Sequence, residues 1–144
     1  MIKVAICDDD IQFIYKLEQS IFRFAEMKRI KVDVDGYTSG AEFIQKLQQS
    51  ERYDLLFLDI ELGDSSGIIV GNWIRSQIQY ESMQIVFVSA KEMYAMQLFD
   101  LRPMNFLVKP IQQERVDYIL DEYERLYQFQ PHIIEIGKGR NAIR

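Results

Sequence analysis

Only one of the 144 residues is a cysteine. That excludes an internal disulfide, and the place of Cys7 within an apolar run fits a buried thiol in a reducing compartment. Positive charge is also short: 17 Lys and Arg against 22 Asp and Glu give a net charge of −5. The deficit is uneven. Residues 129–144 carry Lys138, Arg140 and Arg144 against Glu135, a balance of +2 that leaves −7 on residues 1–128. A body of that sign lacks the Lys and Arg surplus that neutralises phosphates, which makes it a poor nucleic-acid binder by electrostatics alone. No apolar run approaches the roughly 18 residues that a membrane span needs. The start, Met1-Ile2-Lys3-Val4, reads as a strand without a signal-peptide core. The expectation is a cytosolic protein without membrane contact. Internal repeats and low-complexity tracts are missing as well. What remains is a length suited to one domain and an ordinary 48% hydrophobic content, enough for a stable core.

Short apolar runs alternate with helical patterns along the chain. The strand-like runs are Ile2–Cys7, Lys31–Tyr37, Asp54–Leu58, Gln84–Val88 and Met104–Val108. Most are continuous, as strands buried on both faces of a parallel sheet should be. Between them, Ile14, Leu17, Ile21 and Phe24 form one helical stripe, with Asp10 as its N-cap. A second helix opens at the capping box Ser39…Glu42 and runs to about Gln49. A third follows Gly67 and puts Val70, Ile74 and Ile78 on one face. The fourth is short, Lys91 to about Phe99. The fifth runs from Ile111 to about Gln128, with Val116, Ile119, Tyr123 and Leu126 or Tyr127 inward. Five βα units predict an α/β fold, flavodoxin-like (βα)5: a five-stranded parallel sheet of order 2-1-3-4-5 with helices on both faces. After Pro131, the segment His132–Ile136 reads as a further strand. Residues 129–144 are expected to be a linker and the start of a second, truncated domain, or a flexible tail.

Chemistry concentrates where strands end. Asp8-Asp9-Asp10 closes the first run, Asp59 the third, Ser89 the fourth, and Lys109-Pro110 the fifth. In an open parallel sheet, ligands gather outside the carboxyl ends of the strands, so these groups should share one crevice. Mg²⁺ takes oxygen ligands and retains waters; Asp9 and Asp59 can ligate it directly and Asp8 through a water. Three close carboxylates disfavour one another's ionisation, and a divalent cation resolves that. A carboxylate such as Asp59 can accept a phosphoryl group, while Lys109 supplies a point charge to its oxygens. The ordinary readings remain open: Asp8 and Asp10 as helix N-caps, Asp59 as a loop aspartate, and Ser89 as the N-cap of a helix with Glu92 completing a capping box. The fourth helix, with Met93, Tyr94, Met96, Leu98 and Phe99, is apolar nearly all round, so part of it should be exposed as an interaction surface.

These residues, in this order at these strand ends, resemble the receiver domain of two-component response regulators over residues 2 to about 128. The resemblance implies that Asp59 is the phosphoacceptor for a sensor histidine kinase. It further implies that Mg²⁺ is held by Asp8, Asp9, Asp59 and the backbone carbonyl of Glu61, and that Ser89, Lys109 and the switch residue Phe106 respond to the phosphate. Homodimerisation through the fourth helix, fifth strand and fifth helix follows in the same way. So does the status of a signalling switch whose only chemistry is its own phosphorylation and dephosphorylation. Ile6–Asp10, Leu58–Leu62 and Arg102–Pro110 are similar to receivers attached to LytTR-type DNA-binding domains, and Ile133–Gly139 to the opening strand of such a domain. DNA would then be contacted only through an output domain. The chain departs from the common pattern at Leu62-Gly63 in place of Met-Pro, at Phe106 in place of Tyr, and at Glu61. Two alternatives stand beside this reading. One is a haloacid-dehalogenase-type phosphatase with Asp59 as nucleophile; the other is a dimerisation module independent of phosphate.

Overall fold

A computed structural model of the chain describes residues 1–128. The expected strand at His132–Ile136 and the linker or output segment lie outside the described residues. Five parallel strands, β1 (Ile2–Cys7), β2 (Val32–Tyr37), β3 (Leu55–Asp59), β4 (Gln84–Ser89) and β5 (Asn105–Val108), form one sheet in the order β2-β1-β3-β4-β5. This is the arrangement expected from the sequence. The three central strands are buried almost throughout and the edge strands β2 and β5 only in part.

Side chains alternate across the sheet with period 2, which divides the core. Val4 and Ile6, Leu55 and Phe57, Val86 and Val88 face one layer, where they meet Leu17, Ile21 and Phe24 of α1 (Ile11–Lys28) and Val116, Ile119 and Leu120 of α4 (Gln113–Tyr123). Ala5 and Cys7, Leu56 and Leu58, Ile85 and Phe87 face the other. There they meet α2 (Gly40–Gln48), α3 (Gly67–Arg75) and a 3₁₀ segment, Glu92–Leu101. The Cys7 thiol is fully buried, and desolvation first, then nearby carboxylates such as Asp64, push it up to about 12. It is core, not a reactive group. No helix among the described residues is long and apolar enough to cross a membrane.

Helix starts follow the sequence signals. The Asp10 side chain accepts from the Gln12 and Phe13 N–H groups, and Ser39 Oγ accepts from Glu42 N–H. Three expectations are corrected. Ile78 does not lie on the α3 face: the helix ends at Arg75 with Ser76 as C-cap, and Ile78 starts a separate 3₁₀ turn with 86% of its surface exposed. Leu126 and Tyr127 do not face inward. A π-helical turn, Glu124–Gln128, follows α4, and its extra residue per turn rotates both into solvent. The fourth helix is the 3₁₀ segment. Its start at Lys91 has no side-chain cap, and Ser89 is instead the last residue of β4.

α3 begins directly against the end of β3. Gly67 N–H donates to Ile60 O at 2.7 Å, and a Cβ at Gly67 would stand 2.2 Å from the Asp59 carbonyl oxygen and 2.8 Å from Ile60 Cα. Backbone on that side cannot yield. Gly67→Ala should therefore lower stability by ~3 kcal/mol, the upper end of the ordinary cost of overpacking. Gly71→Ala, whose nearest atoms are the Phe87 ring at 3.0 Å and the Leu101 side chain at 3.2 Å, should cost roughly a third of that. Urea midpoints of the two variants check the contrast, and equal losses would contradict it.

Candidate functional site

Strand register brings the polar strand ends to one level. Cys7 pairs with Leu58, Asp59 with Val88, and Ser89 with Val108. Asp8, Asp59, Ser89 and Lys109 are thus delivered by four adjacent strands to the carboxyl edge of the sheet. Asp8 is 1% exposed, Asp59 5% and Ser89 fully buried, while Asp9 is open to solvent. One carboxylate oxygen from each of Asp8, Asp9 and Asp59 lies within 4.8 Å of the others. The sequence expectation that these three meet is met by the geometry.

Backbone N–H groups hold two of them in place. Asp8 Oδ1 accepts from Asp10 N–H at 2.8 Å and Asp59 Oδ1 from Glu61 N–H at 3.1 Å. Their second oxygens share the Lys109 ammonium, 2.8 Å from Asp8 Oδ2 and 3.5 Å from Asp59 Oδ2. Asp8 Oδ2 is buried, and the ammonium 2.8 Å away is its close, charge-assisted partner. The crowding has a direct consequence. Burial first, and then the Asp8 charge, push the Asp59 carboxyl up to about 6, against the opposing pull of Glu61 N–H and Lys109. Burial works against the Lys109 ammonium too, but the two carboxylates outweigh it and hold it protonated above its usual range. Three carboxylates whose oxygens converge within 4.8 Å offer the oxygen-only ligand set that a small hard cation such as Mg²⁺ takes.

Around this centre the remaining residues fall as follows. Ser89 Oγ accepts from Lys91 N–H at 3.0 Å, and the Lys91 ammonium pairs with the Glu61 carboxylate at 3.0 Å across the mouth of the crevice. Phe106 is half-buried on β5 against the core layer that holds Leu98. Asp64, in the loop after β3, accepts from the Gly40 and Ala41 N–H groups at 3.1 Å, which ties the loop that carries Leu62-Gly63 to the start of α2. The Lys109–Pro110 bond is cis. Two residues escaped the sequence reading. Lys91 stands two positions past Ser89, as Glu61 stands two past Asp59, and that matched offset with opposite charge was a readable signal. Phe13, whose ring centroid lies 4.2 Å from Lys109 Nζ, carried no such signal because its proximity depends on how α1 packs.

With divalent cations removed by EDTA, the crowding makes Asp59 a source of instability. Its pKa of about 6 in the folded chain lies above the ordinary 3.8, so the folded state binds the proton more tightly than the unfolded one. The destabilisation is therefore full above about pH 6 and relieved as pH falls toward about 4. Asp59→Asn should exceed the native chain in stability by on the order of 1–3 kcal/mol at about pH 7.5, with the gap closing by about pH 4.5. Denaturant titrations at the two pH values test this. A variant less stable than the native chain at the higher pH would refute the charge-crowding account.

The comparisons with known proteins converge on one family. The family described as "Response regulator receiver domain" matches residues 4–121. Sensory transduction protein LytT of Bacillus cereus is 30% identical over 131 residues, covering 90% of this chain and 50% of that protein. Sensory transduction protein LytR of Streptococcus agalactiae is 30% identical over 126 residues, covering 88% and 49%. The chain spans about half the length of the curated relatives it matches. Among solved structures, the response regulatory domain of protein mrkE from Klebsiella pneumoniae superposes with a TM-score of 0.76 at 23% identity, covering 89% of this chain and 99% of that one. TrrA of Thermotoga maritima, in complex with Mg²⁺-BeF, superposes with a TM-score of 0.69 at 23% identity, covering 85% and 98%. The chain is a member of the response regulator receiver family of two-component systems.

Proposed function

We propose that this chain is a phosphorylation-controlled switch in which Asp59 receives a phosphoryl group from a sensor histidine kinase. The observation that carries the reading is the convergence of Asp8, Asp9, Asp59, Ser89 and Lys109 at one sheet edge, with the Lys109 ammonium against two carboxylates. An Asp59 carboxylate oxygen forms the bond to phosphorus as the bond from phosphorus to the donor breaks, and the donor leaves with the electron pair. Such transfer depends on positioning and on charge stabilisation more than on covalent chemistry. Asp9, Asp59 and the Glu61 backbone carbonyl would hold Mg²⁺, with Asp8 reaching it through a water. Bound there, the ion supplies the positive charge that offsets the transferring oxygens. Lys109 supplies a second positive charge, and the Ser89 hydroxyl a hydrogen bond once it leaves Lys91 N–H. Phe106 then fills the space that Ser89 vacates.

The likeness to LytT and LytR supports placing this receiver, residues 1–128, ahead of a DNA-binding output domain of which residues 129–144 are the linker and beginning. DNA contact would belong to that domain, since the receiver body is acidic. A kinase-fed regulator of transcription with one buried thiol belongs in the cytoplasm. Membership of the receiver family leaves little room for a haloacid-dehalogenase-type phosphatase. The second acid it needs is Glu61, and that carboxylate is engaged by Lys91.

Asp59 should be the sole acceptor, and only with a divalent cation present. Incubation with acetyl phosphate and Mg²⁺ followed by intact mass should give a single adduct that Asp59→Asn and EDTA each abolish. Labelling that survives in Asp59→Asn overturns the assignment, and release of phosphate without an adduct favours a phosphatase.

Phosphorylation should also raise dimer affinity through the 3₁₀ segment, β5 and α4. Met93, Met96 and Phe99 are 70%, 87% and 84% exposed and fall three residues apart, which in 3₁₀ geometry aligns them in one ridge. Coupling of this kind is typically ~1–3 kcal/mol, so affinity should rise roughly ten- to a hundredfold, with some dimer present at high concentration before phosphorylation. Sedimentation with and without beryllofluoride measures it. Equal affinities in the two states, or normal dimerisation of Met96→Glu, would sink the assignment of this face.

A further inference from the structure

The Lys109 ammonium is bounded on two sides. Asp8 Oδ2 and Asp59 Oδ2 lie 2.8 and 3.5 Å away on one, and the Phe13 ring, its centroid 4.2 Å away, faces it on the other. The ring sits on the first turn of α1, where the Asp10 carboxylate accepts from the N–H of Phe13 itself. The residue beside the acidic pair thus fixes the backbone that carries the ring. Phe13 and Lys109 both line a groove of about 480 Å³ between α1 and the start of α4, together with Lys16, Pro110 and Ile111. A lysine is a strongly hydrated point charge on a flexible four-carbon stem. Without the ring, open space on the groove side would let the ammonium swing out of the crevice. An aromatic face attracts a cation through its quadrupole and does not neutralise it.

We propose that Phe13 is a positioning residue for phosphoryl transfer: its π face holds the Lys109 ammonium against the carboxylates, where a phosphoryl group arriving on Asp59 meets it. The proposal rests on the reading of Asp59 as phosphoacceptor. A charge already in place acts without reorganisation at the moment of reaction. The carboxylates alone do not secure it, because a divalent cation at the same oxygens competes for them. The ring offers no oxygen ligand, so a hard divalent cation that takes the carboxylates does not displace the ammonium from it.

Phe13→Leu keeps an apolar side chain of similar size and removes the π face, whereas Phe13→Tyr retains it. With acetyl phosphate and saturating Mg²⁺, Phe13→Leu should label roughly three- to tenfold more slowly, the scale of a partly desolvated cation–π contact. Phe13→Tyr should restore the rate to within about twofold. In a Lys109→Ala background, Phe13→Leu should cause no further loss, as expected if the ring acts only through the ammonium. The Lys109 ε-methylene protons should show an upfield ring-current shift in the native chain and Phe13→Tyr, and lose it in Phe13→Leu. Thermal melts confirm folding, and Phe13→Met replaces Phe13→Leu should the latter unfold. Equal slowing with and without Lys109, an unchanged rate in Phe13→Leu, or no ring-current shift in the native chain overturns the proposal. A native chain that takes no label refutes the phosphoacceptor reading, and the ring-current shift then still decides whether Phe13 holds Lys109.

Discussion

Three carboxylates and one ammonium share the carboxyl edge of this sheet, and most of what distinguishes the molecule follows from that imbalance. At 4–5 Å and an effective dielectric near 20, two like charges repel by roughly 3–4 kcal/mol. Side chains free to choose would separate. These cannot, because strand pairing sets their level and backbone N–H groups from Asp10 and Glu61 fix two of the three. The strain appears as an Asp59 pKa raised to about 6. A site built in this way favours whatever adds positive charge. It is also sensitive to added negative charge, since Lys109 must divide itself among more partners.

The crevice is joined to the neighbouring surface by few contacts. Ser89 Oγ holds Lys91 N–H, and the Lys91 ammonium reaches Glu61. The latter is an exposed ion pair, and such pairs are worth about 0–1 kcal/mol. The 3₁₀ segment then starts with no side-chain cap. Its far end is tied much more firmly. The Arg75 guanidinium donates to the carbonyls of Leu101 and Arg102 and to those of Glu81 and Met83, which fastens the end of the segment to the loop before β4. The start is tied by one hydroxyl, one surface ion pair and the packing of a half-buried Tyr94. The end is tied by a half-buried arginine with four carbonyl contacts and by the buried Leu98 and Leu101, so the start yields first. The start is the end that touches the carboxylate crevice.

How far the sequence could be read depended on whether a signal was local. β1 matches its apolar run residue for residue, and the other strands lie within a residue of theirs, because central parallel strands are continuous in hydrophobicity. The site was legible for the same reason: Asp8, Asp59, Ser89 and Lys109 stand where those runs stop. Helical periodicity misled where it was extrapolated. Ile78, Leu126 and Tyr127 continue the inward spacing of α3 and α4, but a C-cap at Ser76 and a π-helical turn after Tyr123 change the rotation. The contact of Phe13 with Lys109 joins residues 96 positions apart in sequence. Nothing near either residue encodes it.

The 3₁₀ form of Glu92–Leu101 could not be read from composition, yet it decides the shape of the exposed apolar face. At three residues per turn, Met93, Met96 and Phe99 repeat at about 360° and line up. At 3.6 residues per turn, each step would fall about 60° short and the three would fan over about 120°. The buried side chains, Leu98 and Leu101, are also three apart and seat the segment in the 3₁₀ register. Runs of 3₁₀ longer than three or four residues are uncommon because their hydrogen bonds are poorly aligned. A ten-residue run anchored by Arg75 and two buried leucines is therefore held in a geometry that its backbone does not prefer.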